Sequence, residues 1–131
     1  MKRFSIILAG VALAVFAIAA PVEDPPETHV KVMKDLGKQM GMIRKGVDVE
    51  ANATAMAESM KEVGAFWKDR HSDVAMKTCK ESRDGALALA KAAKEGDEAG
   101  QKAGMKMIGA GCKGCHDAHR EKVGENQYKI K

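Results

Sequence analysis

The stretch GAGCKGCHDAHR, residues 109–120, places Cys112 and Cys115 three positions apart, with His116 directly after the second thiol. Two thiols and an imidazole at this spacing suit three chemistries: a metal clip, a redox dithiol, or a tether for a cofactor. Each makes different demands on its surroundings. Structural zinc needs a fourth ligand and usually a second Cys/His pair. A dithiol of this spacing normally sits at a strand-to-helix junction. A cofactor tether needs both sulfurs on nearly one face of a helix, with the imidazole one turn along.

Compartment narrows the choice. The chain opens MKRFSIILAGVALAVFAIAAP, with two basic residues, an apolar run over 4–18 and the small-x-small signature Ala17-Ile18-Ala19. This is the pattern of a secretory signal peptide, expected at 1–19 and cleaved to leave a mature domain at 20–131. The alternative, an uncleaved anchor, meets a run at the short end of the roughly 17–25 residues that span a bilayer. No stable membrane insertion is therefore expected after processing. Loss of Lys2 and Arg3 leaves 20 basic against 18 acidic residues, a net charge of +2. That near-neutral balance, with no basic run interleaved with aromatics, argues against a nucleic-acid binder.

A domain this small buries a modest share of its surface. Outside the signal segment its aromatics are Phe66, Trp67 and Tyr128, whereas methionine is plentiful, with 9 in the chain. Such flexible, polarizable side chains suit packing against a flat or irregular object.

After the proline-rich linker PVEDPPE, apolar residues recur at helical spacing in four blocks. The first, about 28–44, carries Val30, Met33, Leu36, Met40 and Ile43. The second, about 48–67, carries Val49, Ala53, Met56, Met60 and Val63. Cys79, Ser82, Ala86, Leu89 and Ala93 mark the third, about 72–95. Met105, Ile108, Cys112, Cys115 and His119 mark the fourth, about 97–123. The breaks RKGVD, WKDRHSD and KEGDE each hold a glycine or an acidic N-cap candidate. Nothing reads as a strand, and GENQYKIK is expected to be a frayed tail. Four amphipathic helices with short connections predict an all-α, antiparallel up-down-up-down four-helix bundle.

In that setting the tether is favoured. CxxCH is the c-type haem attachment signal. The chain offers no strand for a dithiol junction, and pairing Cys79 with His116 matches no zinc module. A covalent haem would also supply core mass that the chain lacks.

A CxxCH near the C-terminal end of a four-helix chain resembles the class II c-type cytochromes, the cytochrome c-prime family, over essentially the whole mature chain. In that family the motif continues CHxx(Phe/Tyr)Arg; here it is CHDAHR, so Arg120 matches and His119 departs. The resemblance implies one haem c, thioether-bound through Cys112 and Cys115, with His116 as proximal iron ligand and Arg120 beside that imidazole. Otherwise Arg120 is simply a cation ending the last helix. His119 lies on the apolar stripe and either packs on the haem edge or contacts nothing special.

The family divides on the iron's far side. VMKDLGKQM resembles the M-K-x-x-G-x-x-M rhythm of its low-spin branch and implicates Met33 as distal ligand, with Met40 next. A thioether is a good sixth ligand, and Met/His ligation raises the potential. The competing view is that Met33 only packs, as methionines on such stripes usually do.

Two departures stand out. His29 occupies the place where many relatives carry an arginine near the propionates, and GAFWKDRHSD is a short connection. His71 within it is expected to be a solvated loop residue. Cys79 is expected to be a small buried hydrophobe, with a reactive thiol as the sharper alternative.

These features imply a periplasmic, non-enzymatic electron carrier that meets redox partner proteins. The alternative is an open-site relative that binds nitric oxide or carbon monoxide. No acid/base or nucleophile constellation appears apart from the haem ligands. By resemblance, a homodimer through the first two helices is among the expected states.

Overall fold

The computed structural model describes residues 21–131; the expected signal segment, 1–19, lies outside them. Four α-helices follow in order: α1 Glu27–Arg44, α2 Val49–Asp69, α3 Asp73–Glu95 and α4 Glu98–His119. Short connections at 45–48, 70–72 and 96–97 make sequence neighbours antiparallel. None of these helices is long and apolar enough to cross a membrane.

The helix ends follow from local chemistry. The Oγ of Ser72 accepts from the Ala75 amide at the start of α3, and the Asp97 carboxylate accepts from the Gly100 amide at the start of α4. Between them, Gly96 adopts φ 69°, ψ 21°, and the Asp97 amide returns to the Ala92 carbonyl at 2.9 Å. That left-handed cap suits glycine and turns the chain without strain.

The core follows the helical stripes. Met56, Met60 and Val63 of α2 and Ala86 and Leu89 of α3 are buried with Ile108 of α4. Helix α1 differs in phase. Its buried line is His29, Val32, Leu36 and Ile43, while Val30, Met33 and Met40 form a second, half-covered line beside it. Close packing joins α1 to α2, α2 to α3 and, most intimately, α3 to α4; nothing comparable joins α1 to α4.

Glycines bring α3 and α4 together. A Cβ on Gly104 would lie 2.9 Å from the Gly85 carbonyl oxygen and 2.9 Å from the Leu89 nitrogen, both backbone atoms. A Cβ on Gly111 would lie 2.6 Å from the Thr78 carbonyl oxygen and would strike the Ser82 hydroxyl. Gly104→Ala should therefore push the helices apart and cost about 1–3 kcal/mol, read from the denaturant midpoint. Gly41→Ala, where a Cβ meets nothing within 4 Å, should instead stabilise by about 0.5–1 kcal/mol.

The C-terminal segment departs from expectation. Helix α4 ends at His119, four residues before the expected limit of 123, and a hairpin follows: β1 Arg120–Gly124 and β2 Gln127–Ile130. Asn126 takes φ 56° in the turn, a left-handed conformation that asparagine tolerates. The expected frayed tail is thus ordered by long-range pairing. Ile130 is buried and exchanges two backbone hydrogen bonds of 2.9 Å with Glu23. Glu23 in turn holds Arg70 at 2.6 Å, and Lys129 lies 3.5 Å from Asp24. The all-α bundle stands, with this small sheet closing one end.

Candidate haem site

Helix α4 carries Cys112, Cys115 and His116 within its last turns. Cys115 is buried against α3, while Cys112 and His116 are half-buried. Cys112 Sγ lies 3.7 Å from the Ser82 hydroxyl, and burial pushes its thiol up despite that contact. The Cys115 thiol is shifted the other way, held down by its hydrogen bond with Cys79. Among the described residues, no three His, Cys, Asp or Glu side chains form a group able to hold a metal ion, so the zinc alternative finds no complete ligand set.

Burial holds the His116 imidazole below the usual histidine range, and the Arg120 guanidinium adds to this; Asp117 opposes it. A neutral ring is the form that ligates a metal. Arg120 and His116 line one open concavity, and Arg120 stacks 3.4 Å above the Tyr128 ring. Arg120 lies outside the helix as the first residue of β1, held by the hairpin.

His119 makes specific contacts, against the expectation that it touches nothing special. Its ring packs on Trp67, centroids 4.3 Å apart, and its Nε2 lies 2.7 Å from Ser72 Oγ. Its Nδ1 lies 3.3 Å from the Lys131 main-chain oxygen. One assignment satisfies every partner: Nδ1–H donates to Lys131, Ser72 donates to Nε2, and Ser72 Oγ accepts from Ala75 at 3.2 Å. His119 therefore ties the end of α4 to α2, to the cap of α3 and to the C-terminal segment. His119→Ala should cost about 1–3 kcal/mol, from one aromatic pair and its hydrogen bonds. His119→Phe should recover the ring packing alone. Denaturant midpoints, with amide exchange at Tyr128 and Ile130, read both effects.

On the facing side, His29 of α1 is buried and stacks on Phe66, centroids 4.0 Å apart. Arg70 covers Phe66 at 4.0 Å. Burial lowers the affinity of His29 for a proton, and Arg70 and His116 add to the effect across the bundle. Its Nδ1 is buried with no hydrogen-bond partner among the described residues. Met33, one turn further along α1, is half-buried at the edge of the core, as is Met40. Cys79 is buried, its thiol against that of Cys115, which together with burial pushes it strongly up. His71 is exposed in its loop.

The donor set fits a haem: two thiols and an imidazole on α4, a half-covered thioether line on α1, and an orphaned imidazole nitrogen able to meet a carboxylate. Such an atom left alone costs about 1–3 kcal/mol. The bundle and its CxxCH fit a protein of the c-type cytochrome class. A family model described as Cytochrome C' matches residues 61–120, just under half of the chain, from the middle of α2 through CxxCH to Arg120. Across that stretch the chain is similar to the class II c-type cytochromes, a family that implies haem c. No curated protein and no solved structure matches the chain. The match stops short of α1, which carries His29, Met33 and Met40.

Proposed function

We propose that this protein is an exported, periplasmic electron carrier. Cys112 and Cys115 would hold one haem c by thioether bonds, with His116 and Met33 as its axial ligands. When bound, the haem would supply a single iron able to take up and release one electron. The chain's residues do the rest. Two thioethers would fix the group to α4, His116 would present a neutral imidazole, and Met33 would offer a soft, uncharged sulfur that suits both oxidation states. Arg120, near His116, sets the field on that side. The observation that carries this reading is Met33 on the half-covered line of α1, one turn beyond the orphaned His29 nitrogen. Redox partner proteins would meet the surface, and a homodimer through α1 and α2 belongs to the same proposal; catalysis does not.

A second reading, an open site that binds nitric oxide or carbon monoxide, draws on the family match, which leaves out the helix bearing Met33. Optical spectra of the haem-loaded protein separate the two. An electron carrier gives a low-spin ferric spectrum with a weak near-infrared sulfur-to-iron band, and its ferrous form binds carbon monoxide poorly. A high-spin ferric spectrum with ready uptake of carbon monoxide selects the gas-binding reading.

A further inference from the structure

The hairpin that follows α4 has two unlike faces. Its register pairs Arg120 with Ile130, Glu121 with Lys129 and Lys122 with Tyr128. Directly paired residues share a face and alternate along the strand. Arg120, Lys122, Tyr128 and the buried Ile130 therefore lie on one side, and the Glu121–Lys129 pair lies on the other. The first face lines an open concavity of about 570 Å³ together with His116, Asp117 and Lys131. Three cations converge there. The one side-chain carboxylate in the lining, Asp117, is held by Lys113 of the same helix. Arg120 is fixed over the Tyr128 ring, and the hairpin is anchored at its base by Ile130, Glu23 and His119. A fixed, concave, positively charged surface thus stands directly beside His116.

We infer that this concavity is the docking surface for an acidic protein, with Arg120, Lys122 and Lys131 receiving carboxylates around the edge of the haem site. The inference rests on the electron-carrier reading, since a carrier must bring a partner close to its redox centre and release it again. The surface suits that use. Exposed charges steer encounter and are screened by salt, which gives fast, reversible association rather than a permanent complex. The protein's small overall charge leaves this local cluster to set the approach. A protein partner is favoured over a lipid surface because the charges line a hollow, whereas a flat bilayer is met by a convex or planar basic face.

The test is calorimetric titration of the full haem-loaded protein with poly-L-glutamate at low salt, comparing two charge reversals of equal size. Lys122→Glu with Lys131→Glu alters the concavity; Lys45→Glu with Lys94→Glu alters the opposite end of the bundle. All four side chains are exposed, and unchanged melting temperatures show that the fold is kept. The hairpin variant should bind about tenfold or more weaker than the unmutated protein. The control should change by no more than about twofold, and high salt should abolish the difference. Equal losses in both variants, or no binding by the unmutated protein, would overturn the inference. So would full competition by inorganic phosphate at matched charge, which marks a free-anion site. Tighter binding to phosphatidylglycerol vesicles than to the polypeptide would replace it with a membrane role. A reversible one-electron potential measured on the same samples keeps the two failures distinguishable: if it is present, only the docking surface has failed; if it is absent, the carrier reading has.

Discussion

Met33→Ala should turn the haem-loaded protein from low spin to high spin, erase the near-infrared sulfur band and open the iron to carbon monoxide. Met33 lies on α1 beside the buried line of Val32 and Leu36, only partly covered by protein. The potential should also fall. Axial ligand identity spans about 0.8 V across haem proteins, and a thioether favours the ferrous state. Folding should change little, because truncating a half-exposed side chain forfeits less packing than emptying a core site. If the low-spin spectrum survives the substitution, the ligand lies elsewhere on α1. Met40→Ala is then the decisive variant.

Cys112→Ser combined with Cys115→Ser should have the larger structural consequence. With neither CxxCH thiol present, haem should be fully extractable into acid acetone, and the polypeptide should carry its unmodified mass. The bundle should also loosen, because α1 and α4 have little direct packing to hold them together. The loss in stability should be a substantial part of the ~5–15 kcal/mol typical of a domain. Circular dichroism and the denaturant midpoint read it. His116→Ala should keep the thioether chemistry available but leave the iron without its proximal nitrogen, shifting the spectrum in every redox state. Cys79→Ser makes an informative contrast. Cys79 is buried on α3 against Cys115, outside the CxxCH motif, so its loss should cost packing and leave attachment intact.

Much of this architecture is legible in the chain because helices announce themselves by period. The stripes Met56–Met60–Val63 and Cys79–Ser82–Ala86–Leu89 are buried as their spacing predicts. Local chemistry sets the helix ends too, although Ser72, rather than an acidic residue, caps α3. The phase of α1 is harder to read. Val30, Met33 and Met40 share an apolar spacing with Leu36 and Ile43, yet only the latter pair is buried, since the choice depends on which neighbour α1 meets. The hairpin is invisible locally. Its residues are mostly polar, and its order comes from Glu23 and His119, far away in sequence or beyond the strand itself. The partners of His119 are equally non-local: Ser72 lies 47 positions away. The close approach of α3 and α4 through Gly85, Gly104 and Gly111 left only small-residue spacing as its signal, and that spacing alone does not name the facing backbone. The attachment motif, by contrast, is contiguous, and a contiguous motif needs no fold to be recognised.

Covalent haem on α4 underlies every functional statement made for this protein, and intact mass spectrometry after acid-acetone extraction tests it without intermediaries. The sample is unmutated protein matured in a host that possesses the haem attachment machinery. The expected mass is that of the polypeptide from Ala20 plus one haem, retained through extraction and localised by peptide mapping to the fragment bearing Cys112 and Cys115. An unmodified polypeptide, whether it carries zinc or a Cys112–Cys115 disulfide, would contradict it.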